Sequence, residues 1–258
     1  MVIENTSTAG SNLFVIIVAA GSGTRFGSDI PKQFLPLKGK PVLVHALEAF
    51  AAEFPAANII LVLSPDGGID HWREASRFYS GQQPHIVYGG DSRTASVAHA
   101  LDAVGRIGID GSSVVMIHDG ARPIVNRIMI RGLYNMLASD SGAKAAAPCY
   151  ALTEALAANE DGNITPTPRS GYCAVQTPQT FNASMLIEAY RCLKSETSGN
   201  TVYDDDIAVF KGNFPEVAVS SFEGDRNNIK ITRPADIRIA EILMEMPVPY
   251  SPQYVSNR

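Results

Sequence analysis

The chain has 258 residues, of which 45% are hydrophobic and 18% charged, and its formal net charge is −5. This composition predicts a globular protein with a sizeable core, and the negative charge argues against a broad nucleic-acid-binding face. Its three cysteines form no metal-ligand pattern, and the longest apolar run, Leu13 to Ala20, is too short to span a membrane. We therefore expect a cytoplasmic protein without a nucleic-acid or membrane partner.

The chain divides into one long patterned region between two short ends. Residues 1–12, MVIENTSTAGSN, predict a disordered lead-in. Residues 13–245 alternate strand-like and helical patterns without an internal repeat, which indicates one domain. Residues 246–258 are predicted to be a C-terminal tail.

Apolar runs and helical patterns alternate along this domain. The runs predict strands at 13–19, 58–63, 85–88, 113–118 and 143–148. Helical spacing predicts helices at 41–52, 94–104, 126–138, 182–195, 204–211 and 234–245. Strands that are apolar throughout and separated by helices predict an α/β fold, a Rossmann-like and mostly parallel sheet flanked by helices. Ligands of such sheets bind beyond the carboxyl ends of the strands, here the loops at 19–34, 64–68, 89–93 and 118–123.

The segment 149–175 departs from this alternation. Short strand-like pieces flank the sequence EDGN, whose Asp-Gly pair is typical of a hairpin turn. We predict a β-hairpin arm that is inserted in the domain and projects from it. Because a two-stranded arm is marginally stable by itself, it needs a partner surface.

The first strand runs into a loop of small residues, AAGSGTRFGSDIPKQF, that carries two cations. Gly21 and Gly23 permit a tight turn whose backbone N–H groups form an anion site. Arg25 and Lys32 stand beside this turn. A dinucleotide fingerprint would require glycine at Phe26, and a P-loop would require a Gly-Lys-Ser/Thr run that the sequence lacks. A plain strand-to-helix turn has no use for the two cations, so we expect a phosphate ligand.

Several blocks of the sequence carry a resemblance to a known family. The glycine loop, together with GKPVLVHALEAF, resembles the nucleotidyltransferase signature of sugar-nucleotide and polyol-phosphate cytidylyltransferases. The blocks GGDSRTASV, HDGARP, VQTPQTF and NNIKITRPADIRIAE follow in the order of the 2-C-methyl-D-erythritol 4-phosphate cytidylyltransferase family, which they resemble. The matching blocks extend over residues 13–245, so the resemblance covers the whole predicted domain.

This resemblance implies an activity, a cofactor and a partner. The implied fold is the nucleotide-diphospho-sugar transferase type. The implied reaction transfers CMP from CTP to 2-C-methyl-D-erythritol 4-phosphate, releases pyrophosphate and serves the non-mevalonate route to isoprenoid precursors. A divalent cation, Mg²⁺, is expected at the phosphates, with ligands that the sequence leaves unassigned. The arm is expected to join two copies of the chain in a homodimer.

The resemblance also implies residue roles, position by position. The catalytic cations would be Arg25, Lys32 and Lys230. CTP would be bound by Ala19, Ala20, Gly21, Gly23, Gly90, Asp91 and Ser96. The acceptor would be bound by Asp119, Arg122, Arg169 and Thr177, with the last two on the arm segment and its continuation. His118 is expected to be a positioned strand-end residue rather than a base.

The arm departs from the family pattern in the segment LTEALA. Aligning Glu154 with the acid of the pattern places Ala155 at the hydroxyl position and Ala157 at the basic position. Thr153 would supply the hydroxyl only with a register shift, which would turn its side chain to the other face of a strand. This departure therefore leaves open a cytidylyltransferase for ribitol 5-phosphate or another polyol phosphate. A nucleotide-binding regulatory module without turnover is a separate alternative, and the presence of Arg25, Lys32 and Lys230 argues against it.

Overall fold

The structure is a computed structural model that describes residues 12–21, 30–55, 57–139, 142–195 and 203–246. Gly23 and Arg25 lie outside the described residues, as do almost all of the predicted lead-in and tail. Within the described ranges, no helix is long and apolar enough to cross a membrane.

Twelve strands and seven α-helices make up the described part of the chain. The strands are β1 (Leu13–Ala19), β2 (Pro36–Leu37), β3 (Lys40–Pro41), β4 (Asn58–Leu63), β5 (His85–Tyr88), β6 (Val114–Asp119), β7 (Ala145–Ala151), β8 (Leu156–Glu160), β9 (Asn163–Thr167), β10 (Cys173–Val175), β11 (Gln179–Asn182) and β12 (Val219–Glu223). The helices are α1 (Val42–Glu53), α2 (Gly68–Ala75), α3 (Arg93–Ile107), α4 (Arg127–Ala138), α5 (Ala183–Ser195), α6 (Asp206–Asn213) and α7 (Ala235–Glu245).

Eight of these strands form one mixed sheet in the order β10-β7-β11-β6-β1-β4-β5, with β12 also paired to β7. The run β6-β1-β4-β5 is parallel, and β12 is parallel to β7, whereas β10 and β11 are antiparallel to their neighbours. The register aligns Val18 with Asp119 on one side, and Ala19 with Leu63 on the other. The predicted α/β class and mostly parallel sheet are confirmed, and the carboxyl ends of three parallel strands meet at one edge.

The sheet is covered on both faces because its central strands are apolar throughout. On β1, Val15 and Ile17 pack with α1 and α4, while Phe14 and Ile16 pack on the opposite face with α3 and α5. All four side chains are essentially inaccessible to solvent. Burial of each contributes about 1.5–3 kcal/mol to folding, so the strand that ends at the glycine loop is firmly anchored.

The predicted arm is a hairpin whose strands are β8 and β9. Asp161 and Gly162 form its turn with φ of 50° and 85°, the left-handed conformations that an Asp-Gly turn adopts. The flanks of the predicted 149–175 segment differ from the prediction, since they pair with each other as β7 and β10 in the main sheet. The hairpin proper is therefore shorter, and its Ile164 side chain is 68% exposed.

Candidate active site

A cavity of about 520 Å³ opens at the carboxyl edge of the parallel strands. Its walls combine the end of β1, the turn before α3, the end of β6 and the segment before α7. The predicted site residues that line it are Ala19, Ala20, Gly21, Lys32, Gly90, Asp91, Ser96, Asp119 and Lys230. Residues from positions 19 to 230 therefore meet at the edge where ligands of parallel sheets bind.

The turn before α3 approaches the end of β1 so closely that its glycines are required. A Cβ on Gly89 would lie 2.6 Å from both the Ala20 Cβ and the Ser96 Oγ. The backbone N–H of Gly90 donates to the Ser96 hydroxyl at 3.1 Å, and that serine is 2% exposed. Ser96 therefore holds the turn in place, which is a supporting role for the predicted nucleotide pocket.

Asp119, at the end of β6, forms ion pairs with three cationic side chains. Its Oδ2 accepts from Lys230 Nζ at 3.0 Å and from Arg122 Nε at 3.3 Å, while Arg93 Nε lies 3.7 Å from Oδ1. Burial opposes ionisation of this carboxyl, but Lys230, Arg93 and Arg122 outweigh it and hold the pKa of Asp119 below its usual range. The carboxylate stays charged at neutral pH and orients Lys230 at the cavity wall.

His118 is a neutral, structural residue. It is fully buried, and desolvation lowers its pKa to about 4. Its Nε2 lies 3.1 Å from the carbonyl of Arg122, which can only accept, so Nε2 carries the ring proton. Nδ1 then accepts from the Thr177 hydroxyl at 3.1 Å, and that oxygen accepts from the Asp119 N–H. This matches the expectation that His118 is positioned rather than basic.

Three predicted acceptor contacts lie away from the cavity wall in this subunit. The Thr177 hydroxyl is engaged with His118 and Asp119, and the residue is only 4% exposed. Arg122 donates to the carbonyl of Asn228 at 2.7 Å and braces Asp119. In this subunit Thr177 and Arg122 thus support the end of β6, and their contact with the acceptor stays a prediction. Arg169 is exposed at the base of the arm, where it donates to the carbonyl of Thr153.

The chain matches the family model for 2-C-methyl-D-erythritol 4-phosphate cytidylyltransferase over residues 13–246. It is 38% identical over 234 residues to the enzyme of that name from Phocaeicola vulgatus, covering 90% of this chain and 100% of the relative. This chain belongs to the 2-C-methyl-D-erythritol 4-phosphate cytidylyltransferase family. It is also 41% identical over 233 residues to the enzyme of that name from Porphyromonas gingivalis, covering 90% and 97% of the two chains.

Solved structures of family members share the fold. The crystal structure of 2-C-methyl-D-erythritol 4-phosphate cytidylyltransferase from Thermus thermophilus superposes with a TM-score of 0.69 at 29% identity, covering 90% of this chain and 98% of that one. The Francisella tularensis enzyme gives a TM-score of 0.72 at 27% identity, covering 90% and 100%.

An ion pair between Arg93 and the buried Asp206 lies beside the cavity of this cytidylyltransferase and is not among the predicted site residues. Arg93, which lines the cavity, donates to both carboxylate oxygens of Asp206 at 3.0 and 2.7 Å. Asp206 is fully buried and also accepts from the Tyr190 hydroxyl at 2.6 Å. Arg93 belongs to the block GGDSRTASV that carries the family resemblance. Its partner Asp206 lies 113 positions away, so no local sequence pattern indicates that the two residues pair.

Replacing Asp206 with Ala is expected to lower the free energy of unfolding by about 3 kcal/mol, because Arg93 loses its bidentate partner and Tyr190 its acceptor. Urea denaturation measures the change. Asp204, an exposed residue of the same acidic run, provides the control, and Asp204→Ala should change the stability by less than about 0.5 kcal/mol. Equal stabilities of the two variants would contradict this account of the buried pair.

Proposed function

We propose that this chain is a nucleotidyltransferase that transfers CMP from CTP to 2-C-methyl-D-erythritol 4-phosphate, giving CDP-methylerythritol and pyrophosphate for isoprenoid precursor synthesis. One observation carries the proposal: in a member of this family, Lys32 and Lys230 meet the Ala19–Gly21 segment in a single cavity. The relatives that match over nearly their whole length carry the name of this activity.

The reaction joins two anions, so positively charged side chains are needed to offset the repulsion between the substrates. An oxygen of the acceptor phosphate attacks the α-phosphorus of CTP, and the bond to the bridging oxygen breaks as pyrophosphate leaves. At 4 Å and an effective dielectric constant near 20, one cation–anion pair is worth about 4 kcal/mol. Lys32, Lys230 and Arg25 are the proposed sources of that stabilisation. A phosphate nucleophile needs no general base, which agrees with a buried and neutral His118.

The nucleotide would lie between the end of β1 and the turn before α3. The small side chains of Ala19 and Ala20 leave room for it against the strand end, and Gly21 and Gly90 let the backbone approach. Asp91 adds polar groups to the same wall. Gly23 is proposed as a further contact by its place in the loop sequence.

The proposed Mg²⁺ would enter with the nucleotide. Within the ranges that the structure describes, no three His, Cys, Asp or Glu side chains cluster closely enough to hold a metal ion. Mg²⁺ on nucleotides binds mainly phosphate oxygens and water, with one or two carboxylates. Asp91 and Asp119 are carboxylates at the cavity wall that fit this limited role, and the ion would neutralise phosphate charge.

The proposal includes a homodimer in the cytoplasm. The hairpin is too thin to be stable alone, and it exposes Ile164. Arg169 at its base has the planar guanidinium suited to a phosphate, although it does not line the cavity of its own subunit. We place it at the acceptor phosphate of the partner subunit, while Asp119 would accept from acceptor hydroxyls. The three cysteines form no disulfide, which suits a reducing compartment.

A panel of acceptors tests the function. The protein is incubated with CTP and Mg²⁺, and pyrophosphate release is followed with 2-C-methyl-D-erythritol 4-phosphate, with ribitol 5-phosphate and with no acceptor. Release that depends on the methylerythritol phosphate is expected. Release with ribitol 5-phosphate alone would show that ribitol 5-phosphate is the acceptor in place of 2-C-methyl-D-erythritol 4-phosphate. Ribitol 5-phosphate is included because the LTEALA segment is atypical of the family. No release with either acceptor would favour a binding module and overturn the proposal.

A further inference from the structure

Gln33 is a buried amide that lies against the glycine segment. It is 3% exposed, and it faces the cavity from the short 3-10 turn Lys32–Phe34. Its Nε2 donates to the carbonyl of Ala19 at 2.7 Å and to the carbonyl of Gly21 at 3.0 Å. Since a side-chain amide has two N–H groups, the two carbonyls account for its donor capacity.

These two hydrogen bonds determine which backbone groups of the Ala19–Gly21 segment face the cavity. The C=O and N–H of a trans peptide point in opposite directions, so drawing the Ala19 carbonyl to Gln33 turns the Ala20 N–H the other way. Carbonyl oxygens carry partial negative charge and repel phosphate oxygens, whereas N–H groups attract them. Pairing both carbonyls with one buried amide therefore removes two repulsive groups from a site meant for a triphosphate.

The same contact connects two parts of the proposed machinery. Gln33 follows Lys32 directly, and their turn is closed by a bond from the Phe34 N–H to the Pro31 carbonyl at 2.8 Å. A rigid amide that bridges this turn to the end of β1 fixes where the Lys32 side chain starts relative to Ala19 and Gly21. We infer that Gln33 is a positioning residue that sets the nucleotide-binding conformation of the Ala19–Gly21 segment for CTP.

This inference rests on the proposed function and makes a selective prediction. Gln33→Met keeps the length of the side chain but donates no hydrogen bond. The KM and the dissociation constant for CTP should rise about tenfold to a hundredfold, the effect of losing one or two buried hydrogen bonds. The KM for the acceptor, measured at saturating CTP, should change less than about twofold, because the second substrate is bound by other walls of the cavity.

Two further variants keep the test decisive. Gln33→Asn retains the amide but is one methylene too short to reach both carbonyls, so an intermediate loss of CTP affinity is expected even if Gln33→Met does not fold. Gln179 is the matched control: it is 2% exposed, donates to Asp205 at 2.9 Å and does not line the cavity. Gln179→Met should lower thermal stability and leave the affinity for CTP unchanged.

Steady-state kinetics and calorimetric titration with CTP together separate the possible failures. Wild-type affinity for CTP in folded Gln33→Met or Gln33→Asn would overturn the inference. An equal loss for both substrates, reproduced by Gln179→Met, would mark Gln33 as merely structural and would overturn it as well. A wild-type protein that binds CTP but releases no pyrophosphate would remove the proposed function alone, since the titration would still report on Gln33.

Discussion

Replacing Lys32 with Ala should lower turnover by about two to four orders of magnitude and leave the fold intact. Lys32 lines the cavity at the start of a short turn, beside the proposed position of the triphosphate. One cation–phosphate pair worth about 4 kcal/mol corresponds to roughly a thousandfold in rate when it acts mainly on the transition state. Pyrophosphate release at saturating CTP and acceptor measures kcat, and a thermal melt reports folding.

Lys40 is the matched control for this experiment. It lies eight positions further along the same segment, forms a partly exposed ion pair with Glu48 at 2.8 Å and does not line the cavity. Exposed pairs contribute little to stability, so Lys40→Ala should keep the wild-type kcat. Lys32→Arg should recover part of the lost rate because it restores the charge with a different shape. A wild-type kcat in folded Lys32→Ala would remove Lys32 from the mechanism.

The fold was predictable where local pattern and tertiary burial agree. Strand β4 is apolar from Ile59 onward, as expected for a strand that is covered on both faces, and its predicted bounds match the observed Asn58–Leu63. Helix α2 was not predicted, since GIDHWREA contains only a few apolar residues and buries little beyond Trp72 and Ala75. Strands β11 and β12 were also missed, because QTFN and VSSFE lack a continuous apolar run. They are strands through their pairing, β11 with β6 and β7, and β12 with β7.

The sequence predicted several residues that line the cavity, but not the contacts between them. Lys32, Asp119 and Lys230 came from motif resemblance, and the strand topology explains why they meet. The ion pair from Lys230 to Asp119 spans more than one hundred positions, and no local pattern encodes its geometry. Thr177 shows the same limit: its motif position was identified, but its buried hydrogen bond with His118 was not foreseen. A motif therefore gives residue types at a site, whereas packing decides which of them face the ligand.

A heterodimer of two inactive subunits should recover about half of the wild-type rate per dimer if each arm completes the partner's site. One subunit carries Lys32→Ala and the other Arg169→Ala, and two affinity tags isolate the mixed dimer. The site built on the Arg169→Ala subunit keeps its own Lys32 and receives an intact Arg169 from its partner. The other site lacks both groups and stays inactive.

The reciprocal arrangement distinguishes this model from an arm that serves its own subunit. With both substitutions on one subunit and a wild-type partner, every site lacks either Lys32 or the incoming Arg169, so the mixed dimer should be nearly inactive. An arm that folds back on its own cavity predicts the reverse, with about half the rate in this dimer and almost none in the first. Because both dimers contain the same two substitutions, a general loss of stability cannot produce opposite rates. The difference between them therefore reports only which subunit's Arg169 reaches the acceptor phosphate.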